Sequence, residues 1–269
     1  MINVLIAVGV LFAVALVCAI ALALASFYIS VPADEKEGAI RDCLPGINCG
    51  ACGYSGCDGY AKALAKGEAP SNLCIPGGAS VSKKISSLLG IEANEVEKKV
   101  AYVHCNGTSE VTDTASNYDG PRSCAAMCLV CGGPNKCKFG CLGCGDCAKA
   151  CPTEAISITD GVAKINPEKC IACGKCVKIC PKSIISFIPA SAGVAVACSS
   201  RDIGAVTRKK CTNGCIACKR CEKICPHGAI TVIDNLATID YTKCTACGRC
   251  CEVCPVKCLE SEVARAYSQ

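Results

Sequence analysis

Tryptophan is absent from this 269-residue chain, and only 4% of it is aromatic. A large aromatic core is therefore not what holds it together. Histidine occurs only at 104 and 227. Ser, His and acidic residues form no hydrolytic constellation. No G-x-G-x-x-G follows a strand-like run and no P-loop is present, so neither a flavin nor a nicotinamide pocket is expected. The formal charge is +5. That tally leaves out deprotonated cysteines and any bound iron, so no nucleic-acid partner is inferred from it. What the chain has in excess is cysteine, 31 residues in all. Disulfide frameworks belong to short secreted chains, whereas close-set C-x2-C repeats call for metal held by thiolate. So many thiolates point to a reducing cytoplasm.

Four runs carry most of the signal. Each reads C-x2-C-x2-C-x3-C-P: Cys141, Cys144, Cys147, Cys151; Cys170, Cys173, Cys176, Cys180; Cys215, Cys218, Cys221, Cys225; and Cys244, Cys247, Cys250, Cys254. In such runs the fourth cysteine ligates the other cluster of a two-cluster module. Cys141, Cys144 and Cys147 then pair with Cys180, and Cys170, Cys173 and Cys176 with Cys151. Likewise Cys215, Cys218 and Cys221 pair with Cys254, and Cys244, Cys247 and Cys250 with Cys225. Cys251 and Cys258 fall outside the spacing. Alternating apolar residues around Asp160-Gly161 and Asp234-Asn235 indicate hairpins. Short helices are expected after the third and fourth cysteines of each run.

The first 30 residues are almost wholly apolar from Ile2 to Ile29, with no charge inside the run and no Lys or Arg before it. That length predicts a retained transmembrane helix over 1–30 rather than a cleaved signal peptide. Lys36, Arg41, Lys62 and Lys66 follow it, so the positive-inside rule puts the bulk on the cytoplasmic side. Residues 31–38 read as a polar linker. A second kind of cysteine site then spans 31–80: Cys49, Cys52, Cys57 and Cys74, interleaved with Gly46, Gly50, Gly53 and Gly56. Its glycines let the backbone wrap a bulky body, and a helix over 58–66 returns the chain to Cys74. Structural zinc is the alternative occupant. Cys43 lies outside the set.

Residues 81–136 read as a spacer whose first part is two short helices around Gly90, with a possible further cluster site. An internal repeat links this region to the modules: Val103-His104-Cys105 parallels Val196-Ala197-Cys198, and Cys137-x3-Cys141 parallels Cys211-x3-Cys215. Cys105, Cys124, Cys131 and Cys137 are the candidate ligands of a sixth cluster, with Cys128 able to replace Cys131; spare thiols are the alternative. The fold class expected is α+β: the transmembrane helix, the small four-cysteine domain and two tandem 2[4Fe-4S] ferredoxin-like modules, 137–190 and 211–269. A linker over 191–210 joins them and ends in Arg208-Lys209-Lys210, a solvated face or a docking patch for an acidic carrier. His227 follows Cys225-Pro226 and is placed to hydrogen-bond near a cluster.

The stretches LPGINCGACGYSGC (44–57), CIPGG (74–78) and GCLGCGDCAKACP (140–152), with the apolar start and the paired modules, resemble the B subunits of the Rnf complexes. These are membrane-bound ferredoxin:NAD+ oxidoreductases that pump Na+ or H+. The resemblance implies an electron-transfer subunit in the cytoplasmic membrane that takes electrons from reduced ferredoxin and passes them through five or six [4Fe-4S] clusters to other membrane subunits, without binding nicotinamide itself. It also implies that Cys49, Cys52, Cys57 and Cys74 hold the cluster nearest the membrane. Position 144 is often not cysteine in that family, so Cys137 could take the place of Cys144. A cluster subunit of another membrane oxidoreductase, such as a hydrogenase or a formate-oxidising complex, is the alternative.

Overall fold

The computed structural model describes residues 2–28, 35–92, 97–130 and 132–261; side chains of the first helix are described at 6, 8–10, 12–22 and 24. That helix, α1, covers Ile2–Tyr28. Among the described residues no helix is long and apolar enough to cross a membrane, so the expected transmembrane helix over 1–30 is corrected.

Three helices build the first cysteine-bearing unit: α2 (Glu35–Cys43), α3 (Cys57–Ala65) and α4 (Gly78–Leu89). The expected linker over 31–38 is helical from Glu35, while 31–34 lie outside the described residues. Glu35 and Glu37 in the first turn and Arg41 in the last suit the helix dipole. Ile40 turns inward and meets Leu44, Tyr60, Ala61, Leu64 and Ile85 in one core. Ile85 belongs to α4, so part of the expected spacer packs into this unit. Gly90, in the left-handed conformation, ends α4 by donating its N–H to Ser86. The second helix expected after Gly90 is not found among the described residues; 93–96 lie outside them, and the chain enters β1 (Lys99–Val103). Pairing with a later strand, which buries Val100 and Val103, outweighs the helix preference of the Glu and Lys residues.

After α5 (Cys124–Leu129), the first module contains α6 (Asp146–Lys149), β2 (Ile156–Thr159), β3 (Val162–Ile165), α7 (Lys175–Ile179) and β4 (Ile185–Pro189). The second repeats the plan: β5 (Val194–Val196), α8 (Gly204–Lys210), α9 (Arg220–Ile224), β6 (Ile230–Ile233), β7 (Leu236–Ile239), α10 (Arg249–Glu252) and β8 (Leu259–Ser261). Both expected hairpins form. β2 pairs with β3 through Asp160 and Gly161, and β6 with β7 through Asp234 and Asn235, all four with positive φ as a type I′ turn requires. Each module is closed by its outer strands: β1 pairs antiparallel with β4, and β5 with β8.

The short helices differ from expectation. Each spans the third cysteine and ends before the fourth, and among the described residues no helix directly follows the fourth. The proline after the fourth cysteine disfavours helical ψ at the residue before it. Cys180 (ψ 110) and Cys225 (ψ 112) are accordingly extended.

Candidate metal centres

In the first unit a hydrogen bond across the loop sets the start of α3. Asn48 Oδ1 accepts the Cys57 N–H at 2.8 Å, filling one of the donors that a helix start leaves open. A Cβ on Gly56 would stand 3.0 Å from that oxygen, so glycine clears its path. The buried Tyr60 hydroxyl donates to Pro70 O at 2.6 Å and accepts Leu73 N–H at 3.2 Å. It thereby pins the returning chain just before Cys74. Cys49, Cys52, Cys57 and Cys74 converge there. Burial raises the Cys74 thiol, and the nearness of Cys57, Cys49 and Cys52 adds to it. Lys178 of the first module donates its Nζ to Cys49 O at 3.2 Å, a contact that no motif spacing announces.

In the modules the cysteines gather across the runs. Cys151 lines one void with Cys170, Cys173 and Cys176. Cys225 lines another with Cys244, Cys247 and Cys250, and His227 stands in the same wall. Cys141, Cys147 and Cys180 line a third. Cys221 neighbours Cys215, Cys218 and Cys254. Burial pushes the thiols up, to about 12 at Cys147 and about 11 at Cys176 and Cys221. Such groups stay protonated unless a cation offsets the cost of ionising them in a dry site. Iron supplies that cation, so loading releases protons. The residues thus fit thiolate-bound iron.

Two sites hold a fifth sulfur. Cys124 of α5 lines the void of Cys141, Cys147 and Cys180, and after burial its nearness is what raises the Cys144 thiol. Cys144 itself points its Sγ toward Met127 Sδ and Leu142 O, each at 3.7 Å. In the second module Cys258 Sγ lies 3.6 Å from Cys254 Sγ; its nearness lowers Cys215 and Cys254, and Cys258 itself is raised beside them.

Of the cysteines expected to share a sixth site, the structure brings Cys105 and Cys137 together in one void. Cys124 is in another, and Cys131 lies outside the described residues. The partners of Cys105 and Cys137 are Cys198 and Cys211. The internal repeat pairs these same positions without showing that they meet. His104 is half-buried and held structurally, Nδ1 at 2.8 Å from Val196 O and Nε2 at 2.6 Å from Ser186 Oγ, and its partial burial lowers its pKa. The triplet Arg208-Lys209-Lys210 forms the last turn of α8, with Lys210 paired to Asp202 at 2.7 Å.

A family model for an Fe-S cluster matches residues 44–76. Two models of the 4Fe-4S dicluster domain match 140–184 and 169–229. The chain is 42% identical to the B subunit of the Na+-translocating ferredoxin:NAD+ oxidoreductase complex of Acetobacterium woodii, over 98% of this chain and 80% of that one. It is 41% identical to the B subunit of the proton-translocating ferredoxin:NAD+ oxidoreductase complex of Clostridium ljungdahlii, over 76% and 73%. It is 39% identical to the B subunit of the ion-translocating oxidoreductase complex of Methanosarcina acetivorans, over 83% and 85%. With its multiple iron–sulfur domains, the chain therefore belongs to the family of B subunits of the ion-translocating ferredoxin:NAD+ oxidoreductases, the Rnf complexes.

Proposed function

We propose that this chain carries electrons from reduced ferredoxin toward the NAD+-reducing and ion-translocating subunits of such a complex, working on the cytoplasmic side of the membrane. The observation that supports it best is the gathering of cysteines across runs, Cys151 with Cys170, Cys173 and Cys176, and Cys225 with Cys244, Cys247 and Cys250. On this reading Cys49, Cys52, Cys57 and Cys74 hold one [4Fe-4S] cluster, and the four crossed sets hold one each. A bound cluster supplies one-electron chemistry at a potential set by its surroundings. The chain's own residues hold the sulfurs, exclude water and donate backbone N–H groups to them, as Ala155 does to Cys151 and Ala229 to Cys225, each at 3.3 Å. The expected limits 31–80, 137–190 and 211–269 bracket the cysteine sets alone; β1 and β5, which pair with β4 and β8, lie outside them.

Ferredoxin docks on the second module in this reading. Cys218 and Cys247 are exposed there, and Lys219, Arg220, Lys223, Lys243 and Arg249 around them are exposed too. An acidic carrier would be steered to that face. The test is reduction of the full chain, purified without oxygen, by reduced ferredoxin, followed by electron paramagnetic resonance. Cluster signals that grow in proportion to ferredoxin support the reading. An iron-loaded chain that ferredoxin fails to reduce sinks it.

A further inference from the structure

Four cysteines outside the ferredoxin-type sets meet between the two modules. Cys105, Cys137, Cys198 and Cys211 line one cavity together with Gly107, Gly140 and Gly214. Cys105, Cys198 and Cys211 are buried. The site has the internal symmetry of the repeat. Cys105 Sγ accepts N–H groups from Gly107 and Cys141, each at 3.4 Å. Cys198 Sγ accepts them from Ser200 at 3.4 Å and Cys215 at 3.3 Å. Hydrogen bonds to the sulfurs are among the features that set cluster potentials, and each of these two sulfurs receives a pair of them.

The cavity is built rather than incidental. The segment after β1 is tied to the second module by Asn106 N–H to Ala197 O (3.1 Å), Thr112 Oγ1 to Lys210 O (2.8 Å) and Thr212 N–H to Val111 O (3.0 Å). Gly107 lies against the site: a Cβ there would touch Cys105 Sγ at 3.5 Å and Cys211 Sγ at 3.7 Å. Similar voids are lined by the ferredoxin-run cysteines elsewhere in the chain. Among the described residues, no three metal-ligating side chains stand close enough to hold a single ion. A cube keeps its corner thiolates further apart than a single ion does.

We propose that Cys105, Cys137, Cys198 and Cys211 bind a sixth [4Fe-4S] cluster at the junction of the modules. It replaces the set Cys105, Cys124, Cys131 and Cys137 expected from sequence, and it rests on the reading that the chain holds iron–sulfur clusters. Cys141 lines this cavity as well as the void it shares with Cys147 and Cys180, while Cys215 donates its N–H to Cys198. The site thus lies between the first cysteine set of each module, where a one-electron carrier would connect them.

The test is an iron and acid-labile sulfide count on the full chain purified without oxygen, beside Cys198→Ser/Cys211→Ser and the control Cys43→Ser. The wild type and the control should each carry about 24 irons, six cubes of four. The double variant should carry about 20, with the remaining cluster signals unchanged. A double variant that keeps the wild-type iron overturns the proposal while leaving five clusters in place. Little iron in the wild type overturns this proposal and the electron-transfer reading together. If the double variant does not fold, iron-edge anomalous scattering from the wild-type chain decides. A peak among the four sulfurs upholds the site; no peak, or a zinc-edge peak in its place, overturns it.

Discussion

The two modules share a cysteine spacing and differ in what surrounds it. In the first, the region between β1 and α6 folds back over the cysteines. Lys182 Nζ reaches the carbonyls of Gly132 and, at 2.5 Å, Lys138, and Ser123 Oγ donates to Asp146 Oδ2 at 2.9 Å. Cys144 is half-buried and Cys173 fully so, whereas their counterparts Cys218 and Cys247 in the second module are exposed. The fifth sulfur also differs in origin: Cys124 comes from the added segment, while Cys258 comes from the turn before β8. Spacing brings the fourth cysteine of one run beside the other run, and the surrounding chain covers the cysteines of the first module more than those of the second.

The largest effect should come from breaking a crossing. Cys180→Ala is expected to cost about four irons and to remove the cluster signal assigned to Cys141, Cys144 and Cys147. Loss of the Cys170-based cluster alone would mean that the fourth cysteine serves its own run. Exchanging the fifth sulfurs sharpens the contrast. Cys144→Ser should leave the iron count unchanged if Cys124 replaces it beside Cys141, Cys147 and Cys180. Cys218→Ser should lose about four irons unless Cys258 replaces it. Equal behaviour of the two variants would dissolve the distinction between the modules at this position.

Docking is expected to be the next effect in size. Lys219→Glu combined with Arg249→Glu should raise the KM for ferredoxin about tenfold at low salt, and less at high salt. Lys149→Glu with Lys175→Glu, the same reversal on the first module, should change it little. Similar losses from both pairs would argue against the second module as the docking face. The smallest effect belongs to His227, which lines the void of Cys225 and Cys244. Replacing it with Phe should lower the potential of that cluster by roughly 40 mV if one hydrogen bond of about 1 kcal/mol is lost. Redox titration followed by electron paramagnetic resonance reads this directly.

Much of the modules is legible in the sequence because it depends on local chemistry. Asp160-Gly161 and Asp234-Asn235 announce tight turns. What escapes the sequence depends on long-range packing. α2 is short and polar except for Ile40, so no periodicity marks it. The start of the strand, at 99 and 100, reads as the end of a helix until β4 is there to pair with it. The helices stop before Cys180 and Cys225 because of what the following proline does to ψ, which cysteine spacing alone does not announce. Cys105 and Cys198 are recognisable as repeats of one another. Only the ties between Asn106 and Ala197 and between Thr112 and Lys210 put them in one cavity. The expectation over 1–30 rests on composition alone, and the described part of α1 does not sustain it.

The central claim, a chain of iron–sulfur clusters fed by ferredoxin, is tested most directly by counting iron and acid-labile sulfide per chain and titrating the same sample with reduced ferredoxin. At least about 20 irons, with matching sulfide and cluster signals that rise with each electron added, is the expected result. Stoichiometric zinc with little iron, or an iron-loaded chain that ferredoxin leaves oxidised, would contradict it.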